Sequence, residues 1–310
     1  MNSPHAPLAD PIAALIAAGG AGVLAVITDT EGPSYRPVGA MMALLPDGSR
    51  IGTLSSGCIE ADLGLHAQSC LKTGTPMSLR YGQRSPFKDI TLPCGGGLDI
   101  LLFPRPGLEA LTGVAKSRAA RQPAALVLGP DTGTLALAPH GPSGWMDGRF
   151  RVAVTPEIAF FVFGKGPESS TFAAMAHSAG YDVILCSPDD ETRHFARAAG
   201  CATHRLTQKS FPETLAPDAC SAVVLFFHDH DWEPQILLHA LRTPAFYVGA
   251  QGSQRARDLR CMEMTALGAS GAELARLRGP IGLIPSVRDA RTLAVSVLAE
   301  ILDVAKPLLR

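Results

Sequence analysis

The stretch from residue 158 to residue 169 reads Ile-Ala-Phe-Phe-Val-Phe-Gly-Lys-Gly-Pro-Glu-Ser, and it decides the fold of the second half of the chain. Its first six residues are all apolar, as is typical of a strand that is buried on both faces of a parallel sheet. Gly164 and Gly166 then permit a tight turn, and the residues after them can begin a helix. The stretch therefore predicts a strand, a turn and a helix in direct succession.

Strand and helix patterns alternate through the rest of this half. Further strands are predicted at residues 181–186, 222–227 and 245–248. Helical patterns lie between or after the strands, at residues 168–179, 191–199, 232–241, 256–267 and 292–304. This alternation is typical of βαβ units, so we expect an α/β chain whose residues 156–310 form a Rossmann-like domain with a parallel sheet.

Hairpin signals replace that alternation in the first half. Two pairs of apolar runs flank turns rich in glycine and proline, at residues 41–45 with 51–54 and at residues 124–128 with 134–138. Residues 139–150 are also rich in glycine and proline, and we expect a loop there. The pattern predicts an α+β domain over residues 1–155 and a domain boundary near residue 155.

The composition narrows the class of protein. The chain has 310 residues, 46% of them apolar and 18% charged, with a formal net charge of −1. A net charge this small provides no basic field, so we expect no nucleic-acid partner. No apolar run reaches the ~20 residues of a membrane span, so none is expected. The seven cysteines do not suggest a disulfide framework, and we expect a soluble, cytoplasmic protein with reduced thiols.

The turn after the first strand of the second half has the spacing of a nucleotide-binding glycine motif. Gly164 permits the turn, Gly166 lets a phosphate approach the backbone, and Ser169 stands at the third position. The acidic residue that such a motif uses for a ribose would be Asp189 or Asp190. The alternative is a turn of the same shape that binds nothing, because a glutamate stands beside the phosphate position.

Polar residues and a second turn follow two other strands at the same expected edge of the sheet. These candidate ligand residues are His228, His230, Gly249, Gly252 and Ser253. Two histidines separated by one residue can ligate a metal, but they make no complete site, so we predict no metal held by the protein alone. Capping of the following helix by Asp231 is an alternative role for this segment, and the second turn is either ligand-binding or structural.

Two cysteines lie on glycine-flanked loops of the first half. Cys58 stands where a helix is predicted to begin, and the helix dipole there favours the thiolate. Cys94 precedes Gly95 and Gly96, in a loop whose backbone amides can face an anionic ligand. Arg36 follows the first strand of the chain, and its guanidinium suits a phosphate or a carboxylate, although an ordinary surface arginine is the alternative.

Taken in order along nearly the whole chain, these elements resemble the XdhC/CoxI family of xanthine dehydrogenase accessory proteins. In the first half, the resemblance lies in the loop at residues 32–40, the segment 52–60 with Cys58 and Glu60, and the Cys94-Gly95-Gly96 turn. In the second half it lies in residues 164–169, 228–231, 247–253, 279–283 and 293–300. The resemblance implies an XdhC/CoxI-like domain over residues 1–155 and the Rossmann-like domain of the same family over residues 156–310.

The resemblance also implies a chaperone for the molybdenum cofactor (molybdopterin), with no turnover of its own. Such a protein binds the cofactor, supports its sulfuration, protects it and passes it to a xanthine-dehydrogenase-type molybdoenzyme. A cysteine desulfurase and a second copy of the chain, in a homodimer, are the other implied partners. Cys94 is implied as the first cofactor contact and as a ligand of the molybdenum within it. Cys58 is implied as the second cofactor contact. Arg36, Glu60 and the glycine turns named above are implied as further contacts.

Two other classes of function fit the residues alone. The turn with Gly164 and Gly166 also suits an NAD(P)-dependent oxidoreductase, so a nucleotide in the Rossmann-like domain is left open. A sulfur-carrying protein, in which Cys58 or Cys94 forms a persulfide, is the second alternative. Nothing in the sequence indicates which molybdoenzyme would be served.

Overall fold

The computed structural model describes residues 5–6, 9–55, 57–86, 92–93 and 95–308. The chain divides into two compact units, Met1–Pro156 and Glu157–Leu309. The first unit combines mainly antiparallel sheets with helices, and the second is built on a parallel sheet. The predicted fold class is confirmed, since an α+β domain is followed by a Rossmann-like domain.

The first unit contains two sheets within the described residues. Its strands are β1 (His5–Ala6), β2 (Val23–Glu31), β3 (Met41–Leu44), β4 (Arg50–Gly52), β5 (Met77–Gly82), β6 (Gly97–Pro104), β7 (Ala124–Gly129), β8 (Thr134–Pro139), β9 (Gly144–Met146) and β10 (Arg149–Val154). Its helices are α1 (Pro11–Ala17), α2 (Glu60–Thr73) and α3 (Leu108–Ala119). The strand orders are β1-β4-β3-β2-β6-β5 and β8-β7-β10-β9. Paired strands are antiparallel except β1 and β4.

Strand β2 is the centre of this unit because both of its faces are buried. Leu24 and Val26 face an apolar cluster that includes α1, α3 and the second sheet. Val23 and Ile27, which are out of phase with them, belong to the cluster formed with α2 on the other face. Since side chains alternate between the two faces of a strand, one continuous apolar run holds both layers together.

The two predicted hairpins are confirmed, whereas the predicted loop at residues 139–150 is wrong in part. β3 pairs with β4, and β7 pairs with β8, each in antiparallel register. Residues 139–150 instead contribute β9 and the start of β10, with Phe150 opposite Trp145. The rings of these two residues meet edge to face, with 5.2 Å between their centroids. This cross-strand aromatic pair outweighs the glycines and prolines around it.

The second unit has parallel strands in the order β13-β12-β11-β14-β15-β16. These strands are β11 (Ala159–Gly164), β12 (Asp182–Ser187), β13 (Ala202–Arg205), β14 (Ser221–Phe226), β15 (Tyr247–Ala250) and β16 (Leu277–Arg278). The helices are α4 (Pro167–Ser178), α5 (Asp190–Ala198), α6 (Glu233–Leu241), α7 (Gln254–Ala266), α8 (Gly271–Arg276) and α9 (Ala290–Val304), with a 3₁₀ turn at His230–Trp232. Across the described residues of both units, we find no helix with the length and hydropathy needed to cross a membrane.

The apolar run that begins the second unit accounts for its sheet. Every residue of β11 is buried. On one face Phe160 meets Phe172 of α4, with 5.6 Å between ring centroids, and on the other Phe163 meets Phe211 at 5.0 Å. Strand order reverses between β11 and β14, and Rossmann folds bind their ligands outside the carboxyl ends of the strands at such a reversal.

One carboxylate joins the last three motifs of the second unit. The Tyr247 hydroxyl donates a hydrogen bond to Glu300 Oε1 at 2.8 Å, and the Gly282 amide donates to Glu300 Oε2. Tyr247 is 1% exposed, and burial raises the pKa of its hydroxyl, so this group remains a donor. The segments around residues 247, 282 and 300, which are distant in sequence, therefore meet at one partly buried carboxylate.

We predict that the two units fold independently, with the boundary between residues 156 and 157. A fragment of residues 1–156 and a fragment of residues 157–310 should each unfold in a cooperative thermal transition, because each unit encloses its own apolar clusters. Circular dichroism of the two fragments and of the full chain makes the measurement. A fragment that shows no cooperative transition would contradict the boundary.

Candidate functional site

Three loops of the first unit emerge at one edge of its first sheet. Gly97, where β6 begins, lies opposite Glu31 at the end of β2 and Gly82 at the end of β5. Gly52, at the end of β4, lies opposite Met42 near the start of β3. Strand ends that pair in this way lie on the same side of a sheet, where the strands enter their loops. We call this the loop edge, and its loops are the described residues of 32–40, 53–59 and 83–96.

Arg80 fastens three strands at the loop edge. Its Nη1 donates to Asp99 Oδ2 at 2.9 Å, and its Nη2 pairs with Glu31. Its Nε donates to the carbonyl oxygen of Gln83 at 2.8 Å. Hydrogen bonding to Asp99 is the main cause that raises the pKa of Arg80. Because these residues lie on β2, β5 and β6 or just beyond, the contacts hold the three strand ends together.

The loop edge contains both predicted glycines that follow Cys94, in different surroundings. A Cβ atom on Gly96 would lie 2.2 Å from the carbonyl oxygen of Pro33, so the neighbouring loop excludes a side chain there. Gly95 has a φ of +71°, and no atom lies within 4 Å of its Cβ position. Gly95 is therefore open to a ligand, whereas Gly96 is needed for loop packing. Cys94 itself lies outside the described residues.

The loop that carries Cys58 is organised by a buried carboxylate. Glu60 is 1% exposed. Its oxygens accept hydrogen bonds from described groups of the loop, namely Thr53 Oγ1 at 2.6 Å, Leu54 N at 3.1 Å, Ser55 N at 2.9 Å, Ser55 Oγ at 2.7 Å, Gly57 N at 2.9 Å and Ile59 N at 3.2 Å. The loop is thus wrapped around one carboxylate that belongs to the first turn of α2.

The charge of Glu60 is maintained by these same contacts. Burial on its own would raise the pKa of Glu60, but hydrogen bonds, led by the one from the Thr53 hydroxyl, outweigh burial and lower the pKa to about 2. The resemblance indicated Glu60 as a cofactor contact. Both of its oxygens accept hydrogen bonds from the loop, so Glu60 orders the neighbours of Cys58, and a contact between Glu60 and the cofactor stays a prediction.

Cys58 is the exposed thiol among the cysteines that the structure describes. Those that are buried are Cys70, Cys186, Cys201 and Cys220, and Cys261 is partly buried. Cys58 follows Gly57, whose φ is +108° and whose Cβ position has no atom within 4 Å. The thiol is exposed, and the backbone beside it at Gly57 is open, so a bulky ligand can reach it. The loop itself is hydrogen-bonded to the Glu60 carboxylate.

Arg36 lies on the loop edge, as its position after the first long strand predicted. The Ser34 hydroxyl donates to the carbonyl oxygen of Arg36 at 2.7 Å, which closes a local turn. The Arg36 side chain is partly buried. The turn therefore fixes the backbone from which a guanidinium can reach an anion at this edge.

The second unit has a cavity of about 550 Å³ at the reversal of strand order between β11 and β14. The residues that line it are Lys165, Gly166, Pro188, Asp189, Phe227, His228, Asp229 and Trp232. The structure thus brings part of the predicted glycine turn and one predicted histidine to the position where Rossmann folds bind ligands.

The glycine turn beside this cavity has the predicted shape, but its polar groups bond within the protein. A Cβ atom on Gly164 would lie 2.8 Å from the carbonyl oxygen of Phe226, so this glycine serves packing. Ser169 is buried, and its hydroxyl donates to the carbonyl oxygen of Gly166 at 3.0 Å. Gly166 has a φ of +94°, and its amide donates to Thr192 Oγ1 at 2.9 Å.

The two aspartates predicted to meet a ribose serve the start of α5. Asp189 Oδ2 accepts hydrogen bonds from the Thr192 amide at 2.8 Å and from its hydroxyl at 2.6 Å. These bonds, the one from the hydroxyl first, lower the pKa of Asp189. Asp190 pairs with Arg193, which is buried.

The two predicted histidines have separate partners. His228 is exposed, and its Nε2 lies 3.5 Å from Glu168 Oε2. His230 Nδ1 lies 3.0 Å from Glu233 Oε2, which also accepts a hydrogen bond from Arg260 Nε at 2.8 Å. Within the described ranges, no group of three or more potential ligand side chains could hold a metal ion.

The buried ion pair of Glu233 and Arg260 was not predicted from the sequence. Arg260 Nη2 also donates to the carbonyl oxygen of Gln251 at 2.9 Å, so it joins the histidine segment to the second glycine turn. No local pattern marks two charges that lie 27 residues apart. The predicted capping role of Asp231 is wrong, because Asp229 caps the 3₁₀ turn and accepts a hydrogen bond from the Asp231 amide at 3.2 Å.

The second glycine turn is shaped by packing and capping. A Cβ atom on Gly249 would lie 2.8 Å from Ile281 Cγ2, and one on Gly252 would lie 3.1 Å from the Cβ atom of Ala256. The Ser253 hydroxyl accepts a hydrogen bond from the Ala256 amide at 3.2 Å and caps α7. These contacts give each predicted residue a role within the fold, and its role toward a ligand stays a prediction.

We predict that Glu60→Gln lowers the free energy of unfolding by about 3 kcal/mol at pH 7, from the shift of the pKa of Glu60 from 4.5 to about 2. Because the folded state has the lower pKa, this contribution is fully present above pH 4.5 and is lost as the pH falls toward 2. Denaturant unfolding at pH 7, 4 and 3 measures the difference between the two proteins, which should shrink with pH. Glu109→Gln, an exposed change on α3, is the matched control, and an equal loss in both variants would contradict the assignment.

Proteins of known or proposed role match the chain over nearly its full length. The molybdenum cofactor insertion chaperone PaoD of Escherichia coli (strain K12) is 33% identical over 294 residues, which are 94% of this chain and 86% of that protein. A probable xanthine dehydrogenase subunit of Bacillus subtilis (strain 168) is 24% identical over 324 residues, with 92% and 93% covered. The crystal structure of a xanthine dehydrogenase from Bacillus halodurans has a TM-score of 0.76 and covers 96% of each chain, and at 22% identity it shows a shared fold.

The family matches fall on the two units in turn. The XdhC and CoxI family matches residues 15–82, which include the Cys58 loop and its carboxylate. The XdhC Rossmann domain matches residues 160–301, which include the cavity at the strand reversal and Glu300. One relative is 33% identical over 94% of the chain. Because this likeness and the two family matches cover both units, the chain belongs to the XdhC and CoxI family.

Proposed function

We propose that this chain carries the molybdenum cofactor as its cargo and delivers it to a xanthine-dehydrogenase-type molybdoenzyme. The observation that carries the proposal is the exposed Cys58 thiol on a loop whose described groups hydrogen-bond to the buried Glu60 carboxylate. The 33% sequence identity to a molybdenum cofactor insertion chaperone also supports the proposal. In this proposal the chain binds and hands over its cargo and has no turnover of its own.

The chemistry of the loop edge suits such a cargo. A thiolate is a soft ligand, and soft ligands suit a metal centre that already carries sulfur. Open backbone at Gly57 and Gly95 lets a large planar group approach without meeting a side chain. Arg36, on the same edge, supplies a guanidinium that matches the phosphate of the cofactor. Cys94, which neighbours Gly95, is proposed as the first contact and Cys58 as the second.

The proposal includes protection and sulfuration of the cargo. A cofactor held at an exposed edge remains accessible to a cysteine desulfurase, the partner that the family resemblance implies as the source of sulfur. The same exposure permits direct transfer to the molybdoenzyme. A homodimer of this chain, also implied by the resemblance, stays a prediction.

We predict that Cys94→Ala and Cys58→Ala each reduce co-purifying molybdopterin by about tenfold or more, because each removes a soft ligand. The protein is produced in a host that makes the cofactor, and the released pterin is measured by fluorescence after oxidation. Cys261→Ala, at a partly buried thiol of the second unit, is the matched control. Cys58→Ala should change stability by about 1 kcal/mol or less because the thiol is exposed, and full retention of pterin in both loop variants would refute the cysteine assignment.

We also predict that a partner molybdoenzyme produced without this chain is made as polypeptide but is inactive. Adding the cofactor-loaded chain to the purified apoenzyme should restore activity and transfer molybdopterin, because the proposed edge holds the cargo by few exchangeable contacts. The measurement is activity and cofactor content of the partner after separation. A partner that is fully active without this chain would rule out the delivery role.

A further inference from the structure

A dinucleotide needs three things from a Rossmann fold. Its pyrophosphate needs free backbone amides at the start of the first crossover helix, and it needs the absence of negative charge beside them. Its ribose needs an acceptor at the end of the second strand of the fold. In this chain the pyrophosphate would lie at the start of α4 and the ribose at the end of β12.

The first two positions at the start of α4 offer no free amide to a phosphate. The Gly166 amide, which stands where a phosphate oxygen would be held, already donates to Thr192 Oγ1 at 2.9 Å. The next residue is Pro167, which has no amide hydrogen. The hydrogen bond to Thr192 therefore engages the Gly166 amide that a pyrophosphate would need.

The charge at this position is unfavourable to an anion. Glu168 lies in the first turn of α4, and its Oε2 is buried without a hydrogen bond from any described residue, with the exposed His228 Nε2 at 3.5 Å. Asp189 and Asp229 also line the cavity at the strand reversal. Lys165 supplies a positive charge, and the nearby carboxylate of Asp189 offsets it. A phosphate would bring its own negative charge into this group of carboxylates.

One oxygen of the acceptor for a ribose is also engaged. β12 ends at Ser187, and the next residue is Pro188, so neither offers a carboxylate. Asp189 follows, but its Oδ2 already accepts two hydrogen bonds from Thr192. Thr192 thus links both halves of the site, since it engages the Gly166 amide and one oxygen of the Asp189 carboxylate together.

We infer that the Rossmann turn of the second unit is closed to NAD(P) and that its cavity excludes dinucleotide phosphates. The hydrogen bonds that join Gly166 to Thr192 and Thr192 to Asp189 close the turn. Glu168 repels an anion that approaches it. The turn that carries Gly164, Gly166 and Ser169 then serves the fold and does not hold a phosphate. The inference also opposes the oxidoreductase alternative, and it stands independently of the proposed cargo because its test uses no molybdenum cofactor.

The test measures binding of NAD+ and NADP+ to the full chain. The chain has two tryptophans, so Trp145→Phe leaves Trp232, which lines the cavity, as the fluorescent reporter. In this background we expect no saturable change in fluorescence up to ~1 mM of either dinucleotide. Isothermal titration calorimetry on the unmodified chain provides a second readout.

A gain of binding is expected when the closing contacts are removed. Glu168→Gln removes the charge and Thr192→Val frees the Gly166 amide, so the double variant should bind NAD+ about tenfold more tightly or better. Glu168→Gln alone serves as the second variant if the double variant fails to unfold cooperatively. Glu263→Gln, the same chemical change at an exposed position of α7, is the matched control and should gain nothing.

Two results would overturn the inference. The first is saturable micromolar binding of NAD+ or NADP+ to the unmodified chain. The second is a folded Glu168→Gln variant, or a folded double variant, that binds no more tightly than the Glu263→Gln control. No binding to the unmodified chain together with a gain in the variants supports it.

Discussion

The Glu60 carboxylate is the contact on which the candidate site depends. An ionised carboxylate that is 1% exposed is stable only where hydrogen bonds replace the water it has lost. Here the donors come from the loop that carries Cys58, so the charge state of Glu60 and the shape of the loop determine each other. A loop whose amides converge on one anion has few alternative conformations. The thiol is exposed, and the described amides on either side of it are held by hydrogen bonds to one carboxylate.

Glycines of the candidate motifs serve opposite purposes. In the first unit, Gly57 and Gly95 have positive φ angles and open space at their Cβ positions, so they leave backbone accessible. In the second unit, Gly164 and Gly249 face atoms of the protein at less than 3 Å from a Cβ position. A glycine in sequence indicates only that a side chain is absent. Whether a ligand or the protein fills the space depends on the fold.

Local patterns predicted most of the fold and supplied the residues of the candidate site, but not the bonds within it. The buried run at 158–163 predicted the central strand of the second unit, and the hairpins were predicted from turns between apolar runs. The roles of Thr192 and Arg260 depend on contacts with residues 26 and 9 or more positions away. Such contacts leave no periodicity to detect. The prediction for residues 139–150 failed for a different reason, since the pairing of Trp145 with Phe150, five residues apart, forms strands despite the glycines and prolines around it.

A rigid exposed edge and a carrier function are physically compatible. Ordering a loop on binding subtracts from affinity, so a loop already fixed by Glu60 holds a ligand with fewer contacts than a mobile loop would need. Fewer contacts leave more of the ligand exposed, and an exposed ligand can be engaged by a second protein before the first releases it. A deep pocket would bind more tightly but would have to open first. The proposed cargo site therefore gains its affinity from the order of the loop, and the open backbone at Gly57 and Gly95 keeps the ligand transferable.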